Sequence, residues 1–267
     1  MTKAESPFIL ADSLFASGQY FRSAIEYERI LFEQEDAGMQ RRALLQKALS
    51  LKHQQRYADA IQELNRIAIR HAQDTLLAEK SYQLASCHYL SQNYQQSIDA
   101  ISMVEQALKG HPVLPDLLTL KTLAYNQLFQ HEEAKQTLLT LSQQADNGPL
   151  YQQIAQDLYQ NKKPKKYKNP EKAHNLSMII PGTGHLYSGA IGEGAISFLL
   201  NASALGFGAW HVYTGYYLTG YVIGVTTLER FHTGGKKRAE NLAIWKNTEN
   251  AHQLNLRIIS YLNGEAQ

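Results

Sequence analysis

Cysteine is nearly absent from the 267-residue sequence, which contains only Cys87. A single cysteine excludes an intrachain disulfide framework. Cys87 stands at helical spacing from Leu84 and Leu90, so we expect a buried small residue rather than a reactive thiol. Lys and Arg exceed Asp and Glu by only two, and this excess is too small to indicate nucleic-acid binding.

Charge is missing from one long stretch of the chain. Between Lys172 and Glu229 the only formally charged side chain is Glu193, although 19% of the whole chain is charged. A charge near the centre of a bilayer costs about 2.5–3.5 kcal/mol on insertion scales, so membrane segments exclude charges. The stretch therefore predicts a membrane hairpin over residues 173–232, with legs at 195–211 and 212–228. A buried helical hairpin in a soluble domain is the alternative.

Glycines and one amide stand inside this predicted hairpin. Gly220 and Gly224 form a G-x-x-x-G pair, which permits close contact between membrane helices. Asn201 lies within the first leg, and we expect its amide to hydrogen-bond across the hairpin.

A 37-residue interval recurs in the N-terminal part of the chain. Tyr20, Tyr57 and Tyr94 are spaced by this interval. The small residues Ala60, Ser97 and Ala134 keep the same spacing, and we assign Ala24 to their position in the first repeat. Amphipathic stretches flank each of these positions, which predicts pairs of antiparallel helices and an all-α fold.

The pattern resembles the tetratricopeptide repeat family over residues 8–145. The resemblance implies a helical-hairpin solenoid. Gly148 and Pro149 then break the chain, and residues 150–159 predict a helix that caps the array, which occupies residues 1–161. The resemblance also implies that the concave face of residues 8–145 binds peptides or partner proteins. A structural array that binds nothing specific is the alternative.

Basic residues flank the predicted hairpin on both sides. The segment 162–172 is rich in lysine and contains two prolines, which predicts an extended linker. Residues 233–267 follow the hairpin and predict an amphipathic helix that lies on the bilayer. A helix that packs back on the hairpin or on the repeat array is the alternative. The side chains that we expect to face lipid are Lys162, Lys163, Lys165, Lys166, Lys168, Lys236, Lys237 and Arg238. For the segment 162–172, a solvated hinge between domains is the alternative.

Basic flanks around an even number of spans would place both termini in the cytoplasm. The first residues, Met1 to Pro7, contain no apolar segment of the signal-peptide kind. A removed signal peptide would instead place the array outside the cytoplasm, so the side of the membrane stays open.

The most specific motif in the chain is Pro-Gly-Thr-Gly-His-Leu-Tyr-Ser-Gly at residues 181–189. It resembles the signature that opens small two-helix membrane domains in bacteria, which are often fused to tetratricopeptide arrays. The resemblance covers residues 176–247 and implies a topology without an enzymatic role. Its signature residues here are Pro181, Gly182, Gly184, His185, Tyr187 and Gly189.

These observations together predict a non-enzymatic adaptor at a bacterial membrane, the inner membrane being the expected location. The array would bind partner proteins of an envelope assembly, and no metal or cofactor is expected. One alternative is a membrane enzyme or transporter component that uses His185 and Glu193, because ionisable groups beside an apolar region are functional candidates. Another is a wholly soluble helical binding protein. The oligomeric state stays open.

Overall fold

The computed structural model describes residues 7–265 and confirms the predicted all-α class, because helix is the only regular structure among those residues. The chain divides into two compact units. The first comprises Met1–Lys163 together with Ser260–Gln267, and the second comprises Pro164–Ile259.

The first unit is built from short helices that contact their neighbours along the chain. Contacts between alternate helices, α3 with α5 and α5 with α7, add to these sequential contacts. The helices of this unit are α1 (Ile9–Ala16), α2 (Tyr20–Glu33), α3 (Ala37–His53), α4 (Tyr57–Arg66), α5 (Leu77–Leu90), α6 (Tyr94–Val104), α7 (Leu114–Gln127), α8 (His131–Gln144) and α9 (Gly148–Ala155), which continues as a π-helical segment (Gln156–Asn161).

The 37-residue interval is present in the geometry of the backbone. The even-numbered helices α2, α4, α6 and α8 begin at Tyr20, Tyr57, Tyr94 and His131, so His131 takes the fourth position where the tyrosine is missing. Two residues before each of these starts, the backbone takes a positive φ of 59–76°, at Gly18, Gln55, Gln92 and Phe129. Each helix pair therefore closes on the same left-handed turn.

The core repeats at the same interval. Tyr27, Leu64, Ile101 and Leu138 occupy one position of the repeat and are all completely buried. At the position of the small residue, however, the first repeat has Ser23 and not Ala24. Ser23 lies 37 residues before Ala60 and is completely buried, and its Oγ lies 3.1 Å from Ser50 Oγ.

Cys87 is buried in the core formed by α3, α4 and α5, as predicted. It occupies the repeat position of Ser50 and Ala124, which are also buried. Burial raises the pKa of its thiol to about 11. The residue is therefore a small packing group.

The second unit begins with a non-helical segment that ends earlier than the sequence predicts. Asn169 caps the helix that follows, since its side-chain oxygen accepts a hydrogen bond from the Lys172 amide at 3.0 Å. The helices of this unit are α10 (Pro170–Ile179), α11 (Thr183–Ser188), α12 (Ile191–Tyr213), α13 (Tyr217–Thr219), followed by a π-helical segment (Gly220–Val225), and α14 (Thr226–Leu262), whose last residues belong to the first unit.

Helix α14 begins seven residues before the predicted C-terminal helix at 233, and it runs through Gly234 and Gly235 without a break. Gly235 lies close to α12, because a Cβ there would lie 2.8 Å from Ser197 Oγ and would displace that hydroxyl. Ala239 and Ala243, farther along α14, pack against Ala173 of α10. Tertiary packing thus outweighs the helix-breaking tendency of glycine, which is only about 1 kcal/mol per residue.

Among residues 7–265, one helix is long and apolar enough to cross a membrane. It is α12, whose most apolar window has a mean hydropathy of 1.3 and is only 11% buried. A core helix of a soluble protein would be mostly buried, whereas Ile196, Phe198, Leu199 and Leu205 are all more than half exposed.

Candidate functional site

The glycines of the Pro181–Gly189 motif bring three helices together. Gly182 has a φ of +92°, and a Cβ at this position would lie 2.2 Å from the carbonyl oxygen of Gly194 in α12. A Cβ at Gly184 would lie 1.8 Å from the Ala173 carbonyl oxygen in α10. The Gly184 amide also donates a hydrogen bond to Ser177 Oγ at 3.0 Å. Each glycine therefore allows a backbone contact that no other residue would permit.

His185 is buried within this arrangement, with 2% of its surface exposed. Burial lowers the pKa of its imidazole, so the ring is neutral near pH 7. Its Nδ1 atom is buried without a hydrogen-bond partner among the described residues. A buried polar atom of this kind requires an explanation, because leaving it unpaired costs about 1–3 kcal/mol.

Tyr187 connects the motif to the basic segment. The Lys168 ammonium donates to the Tyr187 carbonyl oxygen at 2.5 Å, and the Asn169 amide donates to the Tyr187 hydroxyl at 3.0 Å. Main-chain atoms of Lys168 also form hydrogen bonds with the Asn247 side chain at 2.9 and 2.7 Å. Lys168, predicted to face lipid, thus has its ammonium on the protein. Pro181 is half buried and is separated from the end of α10 by Ile180, and Gly189 directly follows α11.

Glu193 and Arg238 form a bidentate ion pair. Arg238 Nε donates to Glu193 Oε2 at 2.7 Å, and Arg238 Nη2 donates to Oε1 at 2.9 Å. The pair joins α12 to α14 and is partly exposed, so solvent screens the attraction between the two charges. Both carboxylate oxygens of Glu193 are therefore engaged, and Arg238 holds this carboxylate.

The other predicted lipid-facing residues lie at the surface. Lys162, Lys163, Lys165 and Lys166 are exposed, Lys236 is half buried, and Lys237 forms an ion pair with Glu240 at 3.1 Å.

Gly220 and Gly224 pack against α12 through Gly208. A Cβ at Gly224 would lie 2.6 Å from Gly208 Cα, and a Cβ at Gly220 would lie 3.0 Å from the Gly208 carbonyl oxygen. Gly220 and Gly224 therefore allow their segment to approach α12 closely. Gly215, with a φ of +87°, lies in the turn between the two legs.

A cavity of about 290 Å³ lies beside His185, between α11, α12 and α14. Asn201 borders it, but the amide does not bond across the hairpin as expected. Its Nδ2 donates to the Ser197 carbonyl oxygen of the same helix at 2.8 Å, and its Oδ1 is buried without a partner among the described residues. The lining residues are His185, Glu193, Ile196, Ser197, Leu200, Asn201, Arg230, Phe231, Gly234, Gly235 and Arg238.

Sequence reasoning missed Arg230 as part of this site. A signal was available, because Arg230 is the first basic residue after the charge-free stretch. Its position opposite Asn201 depends on the pairing of α12 with α14, which the glycine contacts determine.

The first unit contains a larger cavity, of about 450 Å³, between α5 and α6. Its rim includes Met103, which is 83% exposed, and the charged residues Lys80 and Asp99. Apolar side chains of Leu77, Leu84 and Val104 also line it, so the cavity combines apolar and charged groups.

Within residues 7–265, no group of three or more His, Cys, Asp or Glu side chains could hold a metal ion. Comparisons with protein-family models, with curated proteins and with solved structures each find no match to the chain.

Proposed function

We propose that the protein is a membrane-anchored adaptor, whose helical repeats bind partner proteins of a bacterial envelope assembly. The observation that carries this proposal is the exposed apolar surface of α12, in a chain that also contains helix pairs repeating every 37 residues. Large exposed apolar surfaces mark protein or membrane interaction sites.

The membrane part would be a hairpin formed by α12 and the leg that returns from Tyr217 into α14. Helix α12 has 23 residues, which corresponds to about 34 Å and exceeds the roughly 30 Å hydrocarbon core. The close contact of Gly208 with Gly220 and Gly224 is typical of packing between membrane helices. Trp210 and Tyr213, both exposed near the turn, suit a membrane interface.

The partner-binding part would be a tetratricopeptide-like solenoid. Its support is the regular pairing of helices on a repeated left-handed turn, together with the repeated core positions. The cavity between α5 and α6 is the place where we expect a partner segment to bind, because Met103 is an exposed apolar anchor on its rim.

The test is a pull-down from detergent-solubilised membranes with the full chain as bait. We expect Met103→Glu to lose partner proteins that the unchanged chain retains, because a charge at the rim opposes docking of an apolar side chain. Phe32→Glu is the matched control, since Phe32 is 93% exposed and lies outside the cavity. Identical recovery with both variants, or no partner that depends on residues 8–145, would refute the proposed binding role.

We do not propose an enzymatic use of His185 and Glu193. Both oxygens of Glu193 accept hydrogen bonds from Arg238, which stabilises the ionised carboxylate and makes it a weaker base.

A further inference from the structure

A cleft over α3, between α2 and α4, is filled by the side chain of Lys47. The Lys47 ammonium donates hydrogen bonds to Glu28 of α2 and to Glu63 of α4, at 2.6 Å each. Only 15% of the Lys47 side chain is exposed. In this repeat the chain therefore supplies its own ion pairs, which join the two flanking helices across α3.

One repeat later these ion pairs are missing. Leu84 of α5 stands 37 residues after Lys47, and Ala100 of α6 stands 37 residues after Glu63. Both Leu84 and Ala100 line the cavity of about 450 Å³ between α5 and α6. Ligand pockets typically measure about 300–1,000 Å³. An open cavity of binding-site size therefore occupies the position that the ion pairs fill in the preceding repeat.

The cavity between α5 and α6 carries no net charge, because Lys80 and Asp99 are its only charged lining residues. The Lys80 ammonium donates to the Ile67 carbonyl oxygen at 2.7 Å, and the Asp99 carboxylate accepts a hydrogen bond from the Gln95 amide at 2.9 Å. Both charges are thus engaged within the chain. An uncharged aliphatic side chain matches the remaining surface, since its burial beside Leu84 removes apolar area from water.

A second cavity, of about 300 Å³, lies over α7, where Lys121 stands 37 residues after Leu84. Lys121 is neutralised by Glu105 at 2.8 Å. Glu132 and Glu133 also line this cavity. Lys135 lies 4.0 Å from Glu132, whereas Glu133 is exposed and has no ion-pair partner in the described part of the chain. This cavity therefore has an excess of negative charge and favours a cation.

The two cavities are close enough for one peptide to reach both. Helices α5 and α7, which carry Leu84 and Lys121, contact each other. Packed helices lie about 8–10 Å apart. An extended chain advances about 3.3 Å per residue, so about three residues span this distance.

We propose that the array binds an extended peptide segment in which an aliphatic side chain and a Lys or Arg side chain are about three residues apart. The aliphatic side chain enters the cavity between α5 and α6. The cation lies beside Glu133 in the cavity between α7 and α8. The inference rests on the proposed partner-binding role of the array and specifies the chemistry of the partner segment.

The test begins with a random nonapeptide library displayed on phage. The library is selected on the purified full chain in detergent, after depletion on detergent micelles alone. We expect the enriched peptides to combine Leu, Ile or Val with Lys or Arg about three positions away. Enrichment of peptides with an acidic residue in place of the basic one would overturn the proposal, and so would a selection that enriches no peptide.

The affinity of the most enriched peptide is then measured by fluorescence anisotropy. We expect Glu133→Lys to weaken binding by about five-fold or more, because an attraction becomes a repulsion. A peptide in which Glu replaces the basic residue should bind this variant more tightly than it binds the unchanged chain.

Glu35→Lys is the matched control, because it makes the same change of charge at an exposed residue outside both cavities. We expect it to change binding by less than about two-fold. Equal effects of Glu133→Lys and Glu35→Lys would show general electrostatic attraction and would overturn the site.

A double variant, Leu84→Lys with Ala100→Glu, rebuilds between α5 and α6 the ion pair that Lys47 and Glu63 form between α3 and α4. We expect the rebuilt pair to fill the cavity and to abolish peptide binding, with the helix content by circular dichroism unchanged. Unchanged binding by the folded double variant would overturn the proposal. Glu133 is exposed, so its variant tests the proposal even if the double variant alters folding.

These results separate the inference from the adaptor role on which it rests. Partner proteins that are lost from the pull-down with Met103→Glu, but are retained in full with Glu133→Lys, would refute the peptide chemistry alone. Recovery that is identical with Met103→Glu and its control would refute the binding role itself.

Discussion

The contact between Gly208 and Gly224 gives the sharpest test of how the apolar hairpin is held together. We consider Gly224→Ala, which adds one methyl group at the point where the two legs are closest. That Cβ would lie 2.6 Å from Gly208 Cα, whereas ordinary contacts are 3.4–4 Å. The neighbouring atom belongs to the backbone, so no side chain can rotate away.

The size of the effect follows from this geometry. The legs must separate by about 1 Å to remove the clash, and overpacking of this kind typically costs 1–3 kcal/mol. Alanine also has a better helix propensity than glycine, which returns at most about 1 kcal/mol. Gly206→Ala provides the matched control, because a Cβ there meets nothing within 4 Å. The difference between the two variants therefore isolates the clash, at about 1–3 kcal/mol.

Both variants are measured by equilibrium unfolding of the full chain in a fixed detergent. We expect Gly224→Ala to unfold at lower denaturant than the unchanged chain, and Gly206→Ala to match or exceed it. If the two variants are equally stable, the close packing of the legs does not stabilise the unit and our reasoning is refuted.

Three further predictions concern the first unit. Gly18→Ala should lower the free energy of unfolding by about 1–2 kcal/mol, because its φ of +76° disfavours a Cβ even though no atom lies within 4 Å; Gly18→Asn should lose less in the same urea titration. Cys87, with a pKa raised to about 11, should not react with a thiol reagent at pH 8 until the chain unfolds; rapid modification of the folded chain would contradict its burial. Asp74 accepts hydrogen bonds from the Arg70 and Leu76 amides, which lower the pKa of its carboxyl to about 2. Its stabilising effect is therefore complete above about pH 3.9 and is lost as the pH falls towards 2. Asp74→Asn should flatten the fall in melting temperature between pH 4 and 2, and an unchanged acid dependence would refute this origin.

The helical repeats were predictable because their signal is local. Tyr20, Tyr57 and Tyr94 show the interval directly, and each begins a helix. In the first repeat, the sequence alignment is wrong by one residue. Ala24 is also small and was assigned to the repeat position, whereas Ser23 occupies it. The start of the fourth of these helices was harder to recognise, because His131 stands where the other repeats have tyrosine. The repeats share the position of the turn and not the residue type.

The second unit was harder to predict, because its glycines act through contacts between distant segments. Gly234 and Gly235 are typical of a helix break, yet α14 passes through them and Gly235 packs against Ser197. The cavity beside His185 also depends on contacts between distant segments. Asn201 and Arg230 are 29 residues apart, and only the pairing of the two legs places both on one cavity.

Membrane fractionation tests the central claim most directly. Membranes that contain the full chain are washed with alkaline carbonate and then treated with detergent. We expect the chain to stay in the washed pellet and to be released only by detergent, because the exposed apolar residues of α12 would lie in hydrocarbon. Release by carbonate alone would contradict insertion, and the apolar face of α12 would then require a protein partner.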